Sequence, residues 1–589
     1  MIHFVFSEQD TRYLFLKPDG PDDIKKLKLL KEHINLTDPI CYLPTYSGPP
    51  FTQDFLFEYI QPSGQVVYYC AIGLWQEIYK FFKNNNVEFD GLMDHQHFFK
   101  RKLKHSFEEF KAIVDSWGLK FPPRPYQYEA AYKILQWKQS VSGLATRAGK
   151  TLIAYIIFRY CIEHLGAKRI LMVVPSIDLV KQGYNDFSEY AEFFKTECVW
   201  GGGKLVESAN LTIGTFQSLI KFLDKKSKKF NPSFYDGYDI VFVDETHRAT
   251  AAQMKQIISQ PFMKEVKIAF GMTGTIPPEK TIGFYCLKTL LGATIQQITP
   301  KELMDAGYIS PVNIRQIRLN YKDIDKQREL FIKCAEYGLG EFATQTVTKR
   351  TGKTVAERIK LQNPEFQIQY VKNLPFGIEN LKWQFYNKED KKTYDVWIKS
   401  LKSYIKMSTA TNMLVVERMM AHFMTERIDY LCNYILPKCD KNTLILAHHT
   451  EYINYFSKIV KERFPNRHIE VITGSVAGKE RDRIKNVLKE HNDCILIASY
   501  GVMSTGITLS NLCFGVLFES FKSNVVNMQS IGRGLGLSDP SIKTEYVLYD
   551  IIDCFDKKLI SNKIYLQGLA KIKIYEENKY KYTVINENI

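Results

Sequence analysis

Nowhere in the 589 residues do apolar side chains run for the ~18 positions that a transmembrane helix requires. The start, Met1-Ile2-His3-Phe4-Val5-Phe6-Ser7-Glu8, carries an acid where a signal peptide would be basic. The 11 cysteines include no C-x-x-C pair, and the nearest two, Cys432 and Cys439, stand too far apart for a zinc knuckle. These absences predict a cytoplasmic chain with reduced thiols and no zinc site. Charge of one sign is missing where a basic arm would be useful: residues 1–120 hold 14 Lys/Arg against 16 Asp/Glu, although the whole chain carries +15. Residues 321–410 hold 17 against 11, a local excess that suits a polyanionic partner or a solvated surface equally. The length allows roughly three to four domains.

What is present centres on Leu144-Ala145-Thr146-Arg147-Ala148-Gly149-Lys150-Thr151, between an apolar lead-in from Val141 and a helix start at Leu152. A strand feeding a Gly-Lys-Thr turn at a helix N-terminus makes a phosphate site. Backbone N–H groups and the helix dipole favour the phosphates, Lys150 reaches the terminal ones, and the Thr151 hydroxyl ligates Mg²⁺. The first glycine of that pattern is missing, because Leu144 holds its place, so the motif needs partners. Gln127 is one: it lies 23 residues before Lys150 and suits pairing with an adenine amino group and ring nitrogen. Asp244 and Glu245 are the others. They end the apolar run Ile240-Val241-Phe242-Val243, which puts two carboxylates at the carboxyl end of a buried strand, where α/β sheets place ligands. There Asp244 suits Mg²⁺ and Glu245 suits a water.

The chain divides by pattern. Residues 1–118 read as a small α+β accessory domain expected to bind DNA, with helices over Leu74 to Lys83, stopped by Asn84-Asn85-Asn86, and over Phe107 to Trp117. Its cluster Lys100-Arg101-Lys102-Leu103-Lys104 suits phosphates or a solvated helix face. Phe121-Pro122-Pro123-Arg124-Pro125 reads as a linker. From 119 to 320, helices alternate with apolar strands, the pattern of a parallel α/β sheet. Residues 321–410 form a polar, basic insertion bearing Trp383, Phe385, Tyr386, Tyr394 and Trp397. Its Thr351-Gly352-Lys353-Thr354 has no buried strand ahead of it and is expected to bind no phosphate. A second α/β unit over 411–589 has apolar strands from Thr443, Ile469, Cys494 and Phe514, no phosphate loop, and a C-terminal tail. His448 and His449 lack a third ligand and read as polar sheet-end residues. Arg533 makes chemical sense as a finger on the γ-phosphate of an ATP held by the first sheet.

In order along the chain stand Gln127, A-T-R-A-G-K-T, V-V-P-S-I-D-L-V-K-Q, T-I-G-T-F-Q, V-D-E-T-H, M-T-G-T, I-T-G-S, I-A-S-Y-G-V-M-S-T-G-I and Q-S-I-G-R. Across residues 124–552 this set resembles superfamily 2 helicases motif by motif. The stretch I-A-S-Y-G-V-M-S-T-G-I and the triple glycine Gly201-Gly202-Gly203 look most like the UvsW family of bacteriophage branch-migration DNA helicases. The resemblance implies two tandem RecA-like motor domains, over 119–320 and 411–589, with ATP and Mg²⁺ as cofactors. It implies DNA, branched or forked, as partner, and a host-cell cytoplasm if the chain is phage-encoded. D-E-T-H in place of D-E-A-D argues against the RNA-dedicated branch, so RNA is the less favoured partner.

Roles follow from the same resemblance. Gln127 would read adenine, and Thr146, Arg147, Ala148, Gly149, Lys150 and Thr151 would hold phosphate. Thr151 and Asp244 would take Mg²⁺, Glu245 the water, and Gly506, Gln529 and Arg533 would complete the nucleotide site. Pro175, Ser176, Gly202, Thr215 and Gln217 would grip a strand backbone, joined by Thr473, Gly474 and Ser499 in the second domain. His247, Thr273 and Thr275 would couple hydrolysis to movement. Such contacts go to phosphate and sugar, so binding should be sequence-independent and salt-sensitive.

The chain also departs from the family. The expected second arginine of the last motif falls on Gly536, and no arginine occurs in 537–589, leaving Arg533 alone or helped by Lys522. Thr508 stands where many relatives carry an aspartate. The expectation is a helicase or translocase that remodels branched DNA. The alternatives are a slowly hydrolysing ATP-gated clamp and a restriction-type or transcription-repair translocase. The intact Asp244-Glu245 pair favours the enzyme.

Overall fold

The computed structural model describes residues 1–6, 12–37, 52–92, 96–189, 194, 196–199, 209–246, 256–258, 260–331, 334, 413–474, 478–503, 511–519, 524–538, 541–560 and 562–589. They form two compact units, Met1–Leu303 and Met304–Ile589. Each contains an all-parallel seven-stranded sheet of the RecA-like kind, and the first adds a smaller mixed sheet of five strands.

In the first unit the parallel sheet runs, edge to edge, Thr196–Val199, Leu211–Thr215, Ile170–Val174, Ile240–Asp244, Ile268–Thr273, Gln139–Leu144 and Ala293–Ile298. Strands Ile170–Val174, Leu211–Thr215 and Ile268–Thr273 are buried at every position, which requires cover on both faces and accounts for their largely apolar sequences, in which Thr212, Thr215 and Thr273 are the buried polar residues.

The N-terminal sheet has the order Leu56–Ile60, Val66–Ala71, Tyr13–Pro18, Ile2–Phe6, Phe89–Asp90. Its inner face carries Ile2, Phe4, Leu14, Leu16, Tyr68 and Cys70 against Leu27, Leu30 and Ile34 of helix Pro21–Ile34 and Ile78 and Phe82 of helix Trp75–Asn84. The same core continues into Trp137, Phe284, Tyr285 and Ala293. The sheet is therefore packed onto the motor sheet's own elements within one core.

The helix Phe107–Ser116 lies just ahead of the expected boundary at 118. Phe110 packs on Tyr132 and Tyr160, and the Trp117 indole donates to Glu163 at 3.0 Å, so this helix belongs with the motor helices. An amphipathic helix does not name its partner in sequence. Of the basic cluster, Lys100 lies over the Trp137 ring, and Arg101 donates to the Lys267 carbonyl at 2.6 Å, so those two are committed to structure.

The expected boundary at 320 falls at the end of strand Val312–Asn320. Strand Val312–Asn320 pairs in parallel with Tyr546–Cys554 and with Lys581–Asn588, which places it in the second sheet. That sheet runs Ile469–Ile472, Ile495–Ser499, Thr443–Ala447, Phe514–Leu517, Tyr546–Cys554, Val312–Asn320, Lys581–Asn588. The expected C-terminal tail is thus two strands and the helix Lys563–Glu577 that joins them. Of the insertion, Tyr321, Leu330 and Phe331 join the second unit's core; its Thr351-Gly352-Lys353-Thr354 and its tryptophans lie outside the described residues.

The join between the N-terminal sheet and the motor is made of backbone. A Cβ on Gly73 would sit 2.0 Å from the Lys288 carbonyl oxygen and 2.7 Å from the Gly292 Cα. Beside it the buried Lys288 ammonium meets Glu77 at 2.5 Å; burial pulls its pKa down, and the carboxylate opposes that. Gly73→Ala is expected to cost ~1–3 kcal/mol through overpacking. Thermal unfolding checks this against Gly20→Ala, where nothing stands within 4 Å of the added carbon and only the N-cap exchange, under ~1 kcal/mol, should be lost.

Candidate active site

Strand Gln139–Leu144 lies between Ile268–Thr273 and Ala293–Ile298, yet its helix Lys150–Leu165 leads to Ile170–Val174, beyond two intervening strands. The connection reverses direction at Gln139–Leu144, and a parallel sheet opens its ligand crevice at the carboxyl ends beside such a reversal. Register places Thr273 opposite Gly143 and Asp244 opposite Met272, so Leu144, Thr273 and Asp244 end side by side.

The loop after Leu144 is held in a left-handed turn at Arg147 (φ 73°) and Gly149 (φ 76°). Only glycine fits the second position: a Cβ on Gly149 would stand 2.2 Å from the Gln127 amide nitrogen. Gln127 is buried, donating to the Ala148 carbonyl at 2.9 Å and accepting from the Arg124 N–H at 2.8 Å. The Tyr126 hydroxyl donates to the same carbonyl at 2.8 Å. Gln127, expected to read adenine, here ties the phosphate loop to helix Pro125–Leu135. Tyr126 was not singled out in sequence; its adjacency to Gln127 was the available signal.

The Lys150 ammonium sits 2.5 Å from Glu245 Oε1 and 3.7 Å from Asp244 Oδ1, with 16% of the lysine and aspartate side chains exposed. Burial opposes the lysine's charge, but the two carboxylates hold its pKa above the ordinary value. Burial pushes Asp244 up to about 6, with Lys150 pulling the other way and Glu245 adding to the rise. Glu245 adopts a left-handed backbone (φ 49°), a strained conformation for a residue with a side chain, and its N–H donates to Asp244 Oδ1 at 2.9 Å.

The donors fit a magnesium nucleotide. Oxygen ligands suit Mg²⁺, and Asp244 and the Thr151 hydroxyl are the oxygens that would hold it. The first-turn N–H groups of helix Lys150–Leu165 have no intrahelical acceptor and favour anions. Thr151 also bonds Asp186, on helix Ile177–Ser188, whose pKa is raised by burial; sequence gave no sign of this neighbour. The Thr273 hydroxyl donates to the Thr275 carbonyl at 2.9 Å, and the turn at Gly274 runs beside Thr146.

Of the expected strand contacts, Pro175 and Ser176 follow Ile170–Val174 and neighbour Thr215, since Thr215 pairs with Val174. The Ser176 and Thr215 hydroxyls cap helices, accepting from the Leu179 and Ser218 N–H groups at 3.4 and 3.2 Å; Gln217 is exposed. In the second unit Ile472 pairs with Ala498, so Thr473 and Ser499, both buried, are neighbours at the carboxyl end, with Gly474 exposed. Gln529 and Arg533 lie one turn apart on helix Asn524–Arg533. Gly536 is buried, its carbonyl accepting from Lys543 Nζ at 2.8 Å and Ser310 Oγ at 2.9 Å. Gly202, His247, Gly506, Thr508 and Lys522 lie outside the described residues.

Comparison with known proteins gives this arrangement its class. The model of the type III restriction enzyme res subunit family matches residues 120–278, and that of the helicase conserved C-terminal domain matches 426–535. The chain is a superfamily 2 helicase, an ATP-dependent enzyme. Within that superfamily it is related to the phage UvsW branch-migration helicase family. It is 25% identical over 536 residues, 88% of each chain, to the ATP-dependent DNA helicase UvsW of Enterobacteria phage T4. It is 26% identical over 236 residues to the DNA 3′-5′ translocase XPB2 of Sulfurisphaera tokodaii, covering 38% of this chain and 48% of that one. The crystal structure of T4 UvsW aligns over 100% of this chain and 99% of its own at 19% identity, with a TM-score of 0.40. No helix among the described residues is long and apolar enough to cross a membrane.

Gln127→Ala removes one of the two donors on the Ala148 carbonyl, a loss of ~1 kcal/mol. The KM for ATP is expected to rise about fivefold with kcat nearly unchanged, as steady-state kinetics will read.

Proposed function

We propose that this enzyme is a DNA motor that uses ATP to remodel branched or forked DNA. The observation that carries the reading is the meeting of Lys150, Asp244 and Glu245 at the carboxyl ends of the first sheet. Lys150 and the N–H groups of its helix hold the phosphates, while Thr151 and Asp244 take Mg²⁺, which supplies charge neutralisation at the phosphoryl oxygens. Glu245 orients and deprotonates the attacking water.

The Lys150–Glu245 pair has a part in this. While Lys150 neutralises Glu245, the base is occupied; when phosphates compete for the ammonium, the carboxylate is released to accept a proton. The resemblance to superfamily 2 helicases assigns Arg533, Gln529 and Gly506 to the γ-phosphate end of the nucleotide. The neighbouring pairs Pro175-Ser176 with Thr215, and Thr473 with Ser499, lie at the carboxyl ends of the outer strands of each sheet and suit a strand backbone gripped without base readout. Thr273 and Thr275, beside the phosphate loop, and His247 couple the two sites. DNA as the partner, and branched DNA in particular, rests on the relationship to UvsW, whose name describes an ATP-dependent DNA helicase.

Steady-state ATPase assays with and without forked DNA test the reading. Native turnover should be stimulated by the fork. Glu245→Gln keeps an oxygen for Lys150 yet should slow hydrolysis about 100-fold or more while nucleotide still binds. Turnover indifferent to DNA, or undiminished in Glu245→Gln, would remove the assignment.

A further inference from the structure

The N-terminal sheet is covered by helices on its inner face, so its outer face should alternate to polar residues. It does not. Tyr13 and Phe15 on strand Tyr13–Pro18, Tyr69 on Val66–Ala71, and Phe57 and Tyr59 on Leu56–Ile60 all point to the side opposite the buried Leu14, Leu16, Tyr68, Cys70 and Leu56. Register explains their grouping: Phe57 pairs with Tyr69, and Tyr69 pairs with Phe15, so three rings cross three strands in one row. Phe57 stacks on Tyr69 at 5.3 Å and 26°, and Phe15 lies 6.1 Å from Tyr69 at 34°. Tyr13, Phe57 and Tyr59 are 37%, 40% and 52% exposed, far more than their size would lead one to expect of a face with no ligand.

The charges on this face favour an anion. Lys17 stands on the same strand face as Tyr13 and Phe15, opposite His3 in register, and the Arg12 guanidinium, at the sheet's rim beside the cavity lined by Gly73 and Trp75, lies 5.7 Å from the Tyr13 ring centroid. Two nearby acids are already engaged, since Asp19 and Asp90 hydrogen-bond the two His3 ring nitrogens at 2.8 and 2.6 Å, and Glu58, between Phe57 and Tyr59, alternates to the opposite strand face. A row of rings flanked by cations on an open sheet is the chemistry that stacks unpaired bases and tracks their phosphates. A duplex keeps its base faces within its own stack and cannot use the rings.

We propose that this face binds an unpaired strand of nucleic acid, with bases stacked on the Phe57–Tyr69–Phe15 row and on Tyr59. The inference deepens the reading of the chain as a DNA motor and rests on it, since a motor on branched DNA meets unpaired strands at its junction. Phosphate contacts are few here, so binding draws mainly on stacking. The N-terminal region's lack of net positive charge then agrees with its role, and its share of the affinity depends only weakly on salt.

The test uses the full chain without nucleotide. An oligothymidylate carrying 5-iodouracil is photocrosslinked to it, and crosslinked peptides are mapped. Anisotropy measures the affinity of the native protein and of the double variant Phe57→Ala, Tyr59→Ala for the same oligonucleotide and for a blunt duplex. Both side chains are exposed, so the fold is expected to hold; Tyr59→Trp is the variant that should retain binding. Crosslinks on residues 57, 59 or 69, with a loss of about tenfold on single strands and little on duplex in the double variant, are the expected result. Crosslinks confined to residues 124–552, native affinity in the double variant, or a change in its oligomeric state on gel filtration would each overturn the proposal. If fork-stimulated turnover persists in those cases, the motor reading stands without it.

Discussion

A single lysine between two carboxylates sets the conditions for the rest of the first unit. Lys150 begins a helix, while Asp244 and Glu245 end a strand two places away in the sheet, and the ammonium closes the space between them. Without it two adjacent acids would share a poorly hydrated site, and one would have to bind a proton. The rise of Asp244 toward 6 shows how near that condition lies even with the lysine in place. The left-handed turns at Arg147, Gly149 and Glu245 bring the three groups within reach. Arg147 and Glu245 carry side chains, so two of these turns hold backbone strain beside the charges.

The second unit is held by buried charges of another kind. Arg427 meets Asp553 at 2.9 Å with both side chains almost fully enclosed, and Tyr321 donates to the same carboxylate at 2.6 Å. Asp550 is shared by Lys571, Tyr575 and Gln316. Such pairs return little net stability after desolvation, but one with a single partner removed is costly, so they penalise wrong pairings. They join Val312–Asn320 and Tyr546–Cys554 to the helices around them, the part of the fold most distant along the chain.

Most of the motor was legible because its strands are apolar on both faces and end in chemically distinctive residues. Ile240–Asp244 announces both its burial and its site. Val312–Asn320 does not. Its Asn313, Arg315 and Arg318 interrupt the apolar run, and those arginines are accommodated over the rings of Tyr549 and Tyr565, from elements more than two hundred residues later. Lys581–Asn588 is an edge strand with alternating exposure, and so reads as a tail. Gln127 bonds the Ala148 carbonyl and the Arg124 N–H, contacts that depend on the loop's path, which no local pattern encodes. The aromatics of the N-terminal strands were visible as residues; that Phe57, Tyr69 and Phe15 share one row follows from strand order, a tertiary property.

The glycines at the join have a mechanical meaning. Gly73 abuts the backbone at Lys288 and Gly292, and a Cβ on Gly292 would in turn sit 2.5 Å from the carbonyl oxygen of Gln139, the first residue of the strand that enters the phosphate loop. Main chain rests on main chain at both steps. A side chain can change rotamer and absorb a displacement, whereas peptide planes in contact have no such freedom. A load applied to the N-terminal sheet therefore reaches the phosphate-loop strand through a strut with no rotatable joint.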